Sequence, residues 1–233
     1  DLRTILKDAP DSSRALLLLA RAHELQGARD LADDMYARAF EASDNAAEYA
    51  LPYADFLTKA RRFERAEAVL SQALPNAPRN VQLLSQLARA RLSLGNMAGA
   101  QQVADMLKQV QDPEGISQQI MGAIYAGKQD YDQSIDAFRS AVQAAPSATR
   151  PLVSLVRAYV RAGKPDEAHQ FLDSLLATNP DNLNAKMLKG QLFASQGDLA
   201  AGEAIYREVV EASPETIAAW RGLSGIKYRS ASR

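Results

Sequence analysis

The stretch GKPDEAHQFLDSLLATNPDN, residues 163–182, decides the fold. It has a glycine at its start, a small residue, Ala168, five positions later, and a proline, Pro180, twelve positions after that. The same spacing of glycine, small residue and proline returns in GDLAAGEAIYREVVEASPET, residues 197–216. It returns again, without the glycine, in QDYDQSIDAFRSAVQAAPSA, residues 129–148. A spacing that recurs along one chain indicates an internal repeat.

Rows of 34 residues bring the same residue types into register from residue 13 to residue 216 with no insertion. The rows predict six complete repeats, preceded by the second helix of an incomplete repeat and followed by the first helix of another. In chain order, the predicted segments are 1–12, 13–46, 47–80, 81–114, 115–148, 149–182, 183–216 and 217–233. Because both end segments are partial repeats, we expect the chain to be part of a longer protein.

Each row predicts two helices. The first has apolar residues at i, i+3 and i+4, such as Leu152, Leu155 and Val156. A glycine at the fifteenth position, such as Gly163, supplies the left-handed turn that ends this helix. Small residues at the eighth and twentieth positions allow two antiparallel helices to approach closely. The proline marks the point where the next helix pair begins.

Two stretches match a known repeat best: MGAIYAGKQDYDQSIDAFRSAV, residues 121–142, and WRGLSGIKY, residues 220–228. They follow the 34-residue pattern W-x2-L-G-x2-Y, A-x3-F and P. The chain therefore resembles the tetratricopeptide repeat family, in its bacterial form, over essentially its whole length. This resemblance implies an all-α fold, an α-solenoid of antiparallel helix pairs wound into a right-handed superhelix, in which each repeat touches only its neighbours.

Among the prolines that depart from the pattern of the repeat, three have a predicted effect on a helix. Pro52 lies inside a predicted first helix, so we expect that helix to start late or to bend. Pro75 lies near the end of a second helix and is expected to end it early. Pro165 lies at the start of a second helix, where the fixed φ of proline is favourable.

The last predicted helix has an apolar stripe formed by Trp220, Leu223 and Ile226. No second helix follows it in this chain, and a single repeat cannot bury its apolar face alone. We therefore expect this stripe to be exposed, frayed or covered by a neighbouring molecule.

Composition excludes several classes of function. A formal net charge of −1 gives no general electrostatic reason for binding to nucleic acid or to a membrane surface. The count of 0 Cys excludes disulfides and thiolate metal sites. The longest apolar run, ALLLLA at residues 15–20, is too short to cross a bilayer. We expect no nucleic-acid partner and no membrane contact within this segment.

The residues that commonly carry catalysis do not form a site in the sequence. The two histidines, His23 and His169, occupy different positions of distant repeats, and His23 takes an aromatic core position. Asp33 and Asp34 are predicted to be solvated charges on an outer helix face. No phosphate-binding, zinc-protease or nucleophile-elbow motif is present in the sequence. We therefore predict that the chain is not an enzyme and has no catalytic residue, metal site or cofactor.

The resemblance to the repeat family also implies a binding surface. In that family, positions 2, 5, 9, 12 and 13 of each first helix face a concave groove, and helical spacing places these positions on one side. Taken together, these positions hold seven cations and three acids, and the acids are confined to the first two repeats. The residues predicted to bind a partner are Arg14, Arg21, Asp55, Arg89, Gln119, Arg150, Val153, Arg157, Arg161, Met187 and Gln191.

The charge of this surface suggests the kind of partner. Arg150, Arg157 and Arg161 are separated by seven and four residues, so they share one face of a single helix. Arginine is suited to the capture of carboxylates. We predict a protein or peptide partner of acidic character, helical or extended, or an anionic glycan. The Lys and Asn clamp of chaperone-binding family members is absent, because Leu17 and Arg21 occupy its positions.

The leading functional hypothesis is a non-enzymatic scaffold that binds a protein or peptide in its groove. An alternative is a segment of a bacterial cell-envelope protein for export or assembly of exopolysaccharide, or for PEP-CTERM-type sorting. The alanine- and arginine-rich repeats resemble those of cellulose, alginate and Pel secretion proteins and of PEP-CTERM-associated lipoproteins. This alternative favours the periplasm or cell envelope over the cytoplasm. A third hypothesis is a regulatory arm attached to an enzyme.

Overall fold

The computed structural model of the protein describes residues 9–110, 112 and 115–231. Within this part of the chain there are thirteen α-helices, one 3-10 turn at Leu74–Asn76 and no β-strand. The helices are α1 Ser13–Leu25, α2 Arg29–Glu41, α3 Ala47–Lys59, α4 Phe63–Ala73, α5 Val81–Ser93, α6 Met97–Lys108, α7 Ile116–Gly127, α8 Tyr131–Ala144, α9 Thr149–Arg161, α10 Pro165–Thr178, α11 Leu183–Gln196, α12 Leu199–Ala212 and α13 Ile217–Ala231. The predicted helix at 1–12 falls largely outside the described residues.

The chain forms two compact units, Asp1–Lys128 and Gln129–Arg233. In the first unit, each of the helices α1 to α7 packs on the next one along the chain, and the first helices α3, α5 and α7 also touch in series. In the second unit, α8 to α13 pack in the same successive manner, and α9, α11 and α13 touch in series. The predicted all-α solenoid of helix pairs is confirmed.

The turn between the helices of a pair has the same backbone geometry in all six rows. The left-handed turn predicted for the glycines of the fifteenth position is confirmed, and the two residues other than glycine at this position, Arg61 and Gln129, also have a positive φ. The φ values are 74° at Gly27, 59° at Arg61, 72° at Gly95, 62° at Gln129, 72° at Gly163 and 93° at Gly197.

The residue after this turn caps the second helix in three of the rows. The side chains of Asn96, Asp130 and Asp198 each accept a hydrogen bond from a backbone N–H of the first helical turn. Such side chains satisfy donors that the helix itself leaves unpaired. A left-handed residue followed by a capping residue therefore reverses the chain and starts the next helix.

Small residues sit where two helices of a pair approach. Ala66 and Ala168, at the twentieth position, are completely buried. A Cβ atom added to Gly202 would lie 2.9 Å from the backbone oxygen of Gly190, which shows how closely α11 and α12 pack. The predicted packing role of the eighth and twentieth positions is confirmed at these residues.

Pro75 and Pro165 have the predicted effect, and for Pro52 one of the two predicted outcomes is contradicted. Helix α4 ends at Ala73, ahead of Pro75, and α10 begins at Pro165. The predicted late start of the helix that contains Pro52 is wrong. Helix α3 begins at Ala47, the first position of its repeat, and includes Pro52 as its sixth residue. That position costs the helix one backbone hydrogen bond without preventing its first turn from forming.

The predicted exposure of the apolar stripe on α13 is wrong for two of its three residues. Leu223 and Ile226 are 7% and 3% exposed, because α13 packs against α12 and they join a core cluster that contains Tyr206. Trp220 is 47% exposed, and its indole N–H donates to the carbonyl oxygen of Pro214 at 2.8 Å. The predicted stripe is therefore buried at Leu223 and Ile226, and only Trp220 remains exposed.

Candidate partner-binding site

Helix α9 in the second unit carries three exposed arginines, Arg150, Arg157 and Arg161. None of the three forms an ion pair or a hydrogen bond with any residue that the structure describes. Their separations of seven and four residues place them on one face of the helix. This face therefore carries positive charge that the described part of the unit does not neutralise.

Five other cations of the same unit have acidic partners. Lys164 pairs with Asp132 at 2.7 Å, and Arg207 pairs with Glu203 at 2.7 Å. The remaining pairs are Arg139 with Asp136, Lys186 with Glu208 and Lys189 with Asp173. Both lysines of α11 are thus neutralised, while the neighbouring arginines of α9 are not.

A cleft of about 150 Å³ lies between the first helices α9 and α11. Its walls are mostly aliphatic, and polar groups come from Arg157, Gln191 and Ser195. The lining residues are Val153, Val156, Arg157 and Val160 of α9 with Leu188, Gln191, Leu192 and Ser195 of α11. An aliphatic cleft next to a guanidinium group can hold an apolar side chain and an acid at the same time.

The sequence of α9 explains why these residues face the cleft. Leu152, Leu155 and Tyr159 are buried, which leaves Val153, Arg157 and Val160 on the opposite side of the helix. Because buried apolar residues recur with the period of the helix, they fix which face of α9 remains accessible. The apolar side chain of Val160 remains 44% exposed at the edge of the cleft.

Hydrogen bonds hold the helices around the cleft. The guanidinium of Arg139 in α8 donates to the Tyr159 hydroxyl at 2.7 Å. The amide of Asn184 in α11 donates to the Thr149 hydroxyl at the start of α9, at 2.8 Å. The Ser195 hydroxyl donates to the backbone oxygen of Leu192 at 2.7 Å, so its proton is already used within α11.

The predicted site residues of the second unit fall in two places. Val153, Arg157 and Gln191 line the cleft, and Arg150 and Arg161 lie on the same face of α9. Met187 is half-buried and packs against the core cluster beside α12 and α13. The next residue along the chain, Leu188, lines the cleft instead.

Five lining residues are not among the residues predicted to bind a partner. Val160 and Ser195 occupy the groove positions 12 and 13, whereas Val156, Leu188 and Leu192 lie outside the groove positions. Val156 occupies the eighth position, which the repeat pattern assigns to packing between helices. The leucines belong to positions 6 and 10, which are not among the groove positions of the family. They line the cleft because they face α9, the first helix of the preceding repeat, which lies about 34 residues earlier in the sequence. The residue pattern of a single repeat does not indicate this contact between repeats.

The predicted site residues of the first unit are Arg14, Arg21, Asp55 and Arg89, which are exposed, and Gln119, which is half-buried. Asp55 pairs with Lys59 at 2.7 Å within α3. Lys59 also pairs with Glu24 of α1 at 3.3 Å, and the Tyr36 hydroxyl donates to Glu24 at 2.7 Å.

This set of contacts changes the protonation behaviour of its members. The hydrogen bond to Asp55 raises the pKa of Lys59 above its usual value. Burial, together with the hydrogen bond to Glu24, raises the pKa of Tyr36. Two of the three acids on the predicted groove positions, Glu24 and Asp55, are therefore already paired within the first unit.

The prediction that Asp33 is a solvated charge is wrong. Its side chain is 15% exposed, and its carboxylate pairs with Arg62 at 2.5 Å and Arg65 at 2.6 Å. The Tyr53 hydroxyl donates to it at 2.9 Å. Burial alone would raise the pKa of Asp33, but the hydrogen bonds from Arg65 and Tyr53 outweigh burial and lower it. Asp34 is exposed, as predicted.

The histidines are half-buried. A ring nitrogen of His169 shares a hydrogen bond with the Gln196 side chain at 2.7 Å, and its ring lies 4.2 Å from that of Phe193. Among the described residues, no group of His, Cys, Asp and Glu is arranged to hold a metal ion. Within the same part of the chain, no helix has the length and apolar character needed to cross a membrane.

Comparison with known families agrees with this architecture. Three sequence models described as tetratricopeptide repeat match residues 54–115, 125–192 and 183–216. With the helix pairs and the 34-residue register, these matches show that the chain belongs to the tetratricopeptide repeat family.

Individual relatives share the repeats at low sequence identity. The chain is 28% identical over 159 residues to cellulose synthase operon protein C of Komagataeibacter xylinus, a match that covers 66% of this chain and 12% of the relative. It is 22% identical over 211 residues to human protein O-mannosyl-transferase TMTC1, covering 87% of this chain and 23% of the relative. The chain thus spans less than a quarter of the length of either relative.

A solved structure of similar fold is the tetratricopeptide repeat protein of Parabacteroides merdae. Its TM-score to this chain is 0.70 at 16% sequence identity, and the match covers 97% of this chain and 90% of that one. At this identity the similarity establishes the fold alone.

Proposed function

We propose that the chain is a non-enzymatic scaffold that binds a protein or peptide segment on the first-helix surface of its second unit. The observation that supports this function best is the cleft between α9 and α11, next to three arginines that have no partner among the described residues. A surface that combines apolar contact area with accessible charge provides both affinity and orientation for a partner.

The same site offers little for catalysis. Arg157, Gln191 and Ser195 are its polar groups, and the Ser195 proton is bonded to the Leu192 carbonyl oxygen. A serine nucleophile needs a neighbouring base and donors for the developing oxyanion. The similarity to the human transferase covers 23% of that protein, so we do not transfer its activity to this chain.

Selection of binding peptides tests the proposed function. A displayed library of random twelve-residue peptides is selected against the chain, and each selected peptide is titrated by isothermal titration calorimetry. The matched protein is Val160→Trp, which places a bulky ring at the half-exposed edge of the cleft without changing its charge. We expect the selected peptides to lose at least tenfold in affinity for this variant. Peptides that bind both proteins equally would contradict the proposed location of the site.

A second candidate function is supported by the similarity to cellulose synthase operon protein C, at 28% identity over 159 residues. In this alternative, the chain is a segment of a bacterial cell-envelope protein that takes part in exopolysaccharide export or assembly, and it resides in the periplasm. Cell fractionation and calorimetry with soluble cello-oligosaccharides and alginate oligomers test it. Glycan binding that Val160→Trp abolishes supports this alternative, whereas a cytoplasmic location of the full-length protein contradicts it.

A further inference from the structure

We infer that the cleft between α9 and α11 is a socket for one aliphatic side chain of an acidic, extended peptide segment. The carboxylates that flank this side chain pair with Arg150, Arg157 and Arg161. The inference rests on the proposed function and adds to it the chemistry and spacing of the bound segment.

The size of the cleft indicates what it holds. Its volume of about 150 Å³ is well below the roughly 300–1,000 Å³ of pockets that enclose a drug-sized molecule. Its walls include the buried side chains of Val156 and Leu192 and the half-buried side chain of Leu188. A space of this size with aliphatic walls suits a single leucine, isoleucine or methionine side chain.

The charge around the cleft indicates what lies beside that side chain. Arg157 lines the cleft itself, and Arg150 and Arg161 flank it along α9. No described acid pairs with these arginines, and acids close to α11 pair with its lysines, as in Lys186 with Glu208 and Lys189 with Asp173. The three guanidinium groups are thus available to bind carboxylates, which arginine can hold through two parallel hydrogen bonds.

The spacing of the arginines sets the spacing of the acids. At a rise of about 1.5 Å per helical residue, Arg150 and Arg157 lie about 10 Å apart along α9, and Arg157 and Arg161 about 6 Å apart. An extended peptide advances about 3.3 Å per residue. Because successive side chains of an extended peptide point to opposite faces, only residues an even number of positions apart face α9 together. The two arginine intervals therefore correspond best to separations of four and two peptide residues, about 13 and 7 Å, and the long arginine and glutamate side chains take up the difference. Because Val153 and Val156 line the cleft between Arg150 and Arg157, the aliphatic residue should lie between the first two acids, two residues from the central one.

The aliphatic walls favour a peptide over an anionic glycan. A glycan of uronic acids supplies carboxylates but has no aliphatic side chain to fill a cleft lined by valine and leucine. A peptide supplies both from neighbouring residues. Burying one aliphatic side chain contributes about 1.5–3 kcal/mol, which corresponds to about tenfold to a hundredfold in affinity.

The experiment uses the whole 233-residue chain and a fluorescein-labelled peptide, GESLSESEG, which places the three acids and the leucine on one face of an extended chain. Fluorescence anisotropy measures its dissociation constant at 50 and 300 mM NaCl. A peptide with the reversed sequence tests whether the segment binds with the opposite chain direction along α9. We expect replacement of the leucine by glycine to weaken binding about tenfold to a hundredfold. Replacement of the three glutamates by glutamine should weaken it and remove its dependence on salt.

Two charge variants of the protein make a matched pair. The variant Arg150→Gln/Arg157→Gln/Arg161→Gln removes three charges from α9. Its control removes three charges from exposed positions of α13 in the same unit that form no ion pair with a described residue; these changes are Arg221→Gln, Lys227→Gln and Arg229→Gln. We expect the first to lose at least tenfold in affinity and the second to stay within about twofold. Circular dichroism verifies that both remain helical.

The outcomes separate this inference from the proposed function. Equal losses in the two charge variants, or selected library peptides that bind the cleft regardless of their acidity, overturn the inference and leave the proposed function in place. If Val160→Trp weakens the binding of neither the designed peptides nor any library peptide, both this inference and the proposed function are wrong. Alginate oligomers that bind through the three arginines while GESLSESEG does not would replace the peptide with a glycan.

Discussion

The carboxylate of Asp33 in α2 accepts two hydrogen bonds from the guanidinium of Arg65 in α4, at 2.6 and 3.0 Å. This pairing joins two consecutive predicted repeats of the first unit. The Tyr53 hydroxyl donates to the same carboxylate, so Asp33 links the second helices of both repeats to α3 between them.

The replacement Asp33→Asn should lower the free energy of unfolding at pH 7 by about 1–3 kcal/mol, because the arginines lose their charged acceptor. The pKa of Asp33 in the folded chain is below its ordinary value of 3.8. Its contribution is therefore fully present well above that value and is lost as the pH falls through the folded pKa. Urea unfolding between pH 7 and pH 2 should show the difference from wild type shrinking below about pH 4.

The matched control is Asp34→Asn, since Asp34 is exposed. It should change stability by no more than about 0.5 kcal/mol. Equal effects of the two replacements would mean that the Asp33 pairing contributes nothing beyond an ordinary surface charge.

The completely buried alanines of the twentieth position should not accept larger side chains. Ala66→Leu and Ala168→Leu force a larger side chain between helices in contact, and overpacking costs about 1–3 kcal/mol. The exposed Ala98 provides the comparison, and Ala98→Leu should be nearly neutral. Urea melts measure all three, and similar losses at the three positions would show that the helical phase is misassigned.

The turn residue Arg61 is exposed and has φ of 59°, a conformation that costs a non-glycine residue about 1–2 kcal/mol. Arg61→Gly should therefore stabilise the chain by up to about 1 kcal/mol, after the greater flexibility of glycine in the unfolded chain is subtracted. Gly163→Ala makes the opposite change at φ of 72°, with no atom within 4 Å of the added Cβ, and should destabilise. If the melting temperatures of the two variants do not change in opposite directions, the shared turn geometry is contradicted.

The turns and the close packing of the repeats can be predicted from the sequence, whereas the pairing of Asp33 cannot. Turn geometry at Gly163 and close packing at Ala66 follow from local residue type and a fixed period, so the register of the repeats predicts them. The positive φ of Arg61 does not follow from its residue type and was found only in the structure. The pairing of Asp33 with Arg65 joins residues 32 positions apart. It depends on side-chain reach between helices, which the period does not encode.

The candidate site was also only partly predictable. Helical spacing placed Arg150, Arg157 and Arg161 on one face of α9, which required no knowledge of other helices. The cleft depends on how far apart α9 and α11 lie, and that distance is set by packing along both helices. Leu188 could therefore be identified as a lining residue only from the structure.

The last helix offers a test of how α13 is packed. Leu223 is 7% exposed and Trp220 is 47% exposed. Leu223→Ala should cost about 2–5 kcal/mol, the usual range for a buried leucine. Trp220→Ala should cost clearly less, although it loses the hydrogen bond to the Pro214 carbonyl oxygen. Hydrogen exchange of the α13 amides measures the loss of stability in both variants. A larger loss for Trp220→Ala than for Leu223→Ala would show that the buried face is misassigned.

The central claim is that the cleft of the second unit binds the partner. The most direct measurement is a methyl NMR titration of valine-labelled protein with the tightest peptide from the selection. We expect the methyl signals of Val153, Val156 and Val160 to shift on binding, while those of Val69 and Val103, buried in the first unit, do not. Binding that leaves the three α9 valines unshifted, or shifts only residues elsewhere, would contradict it.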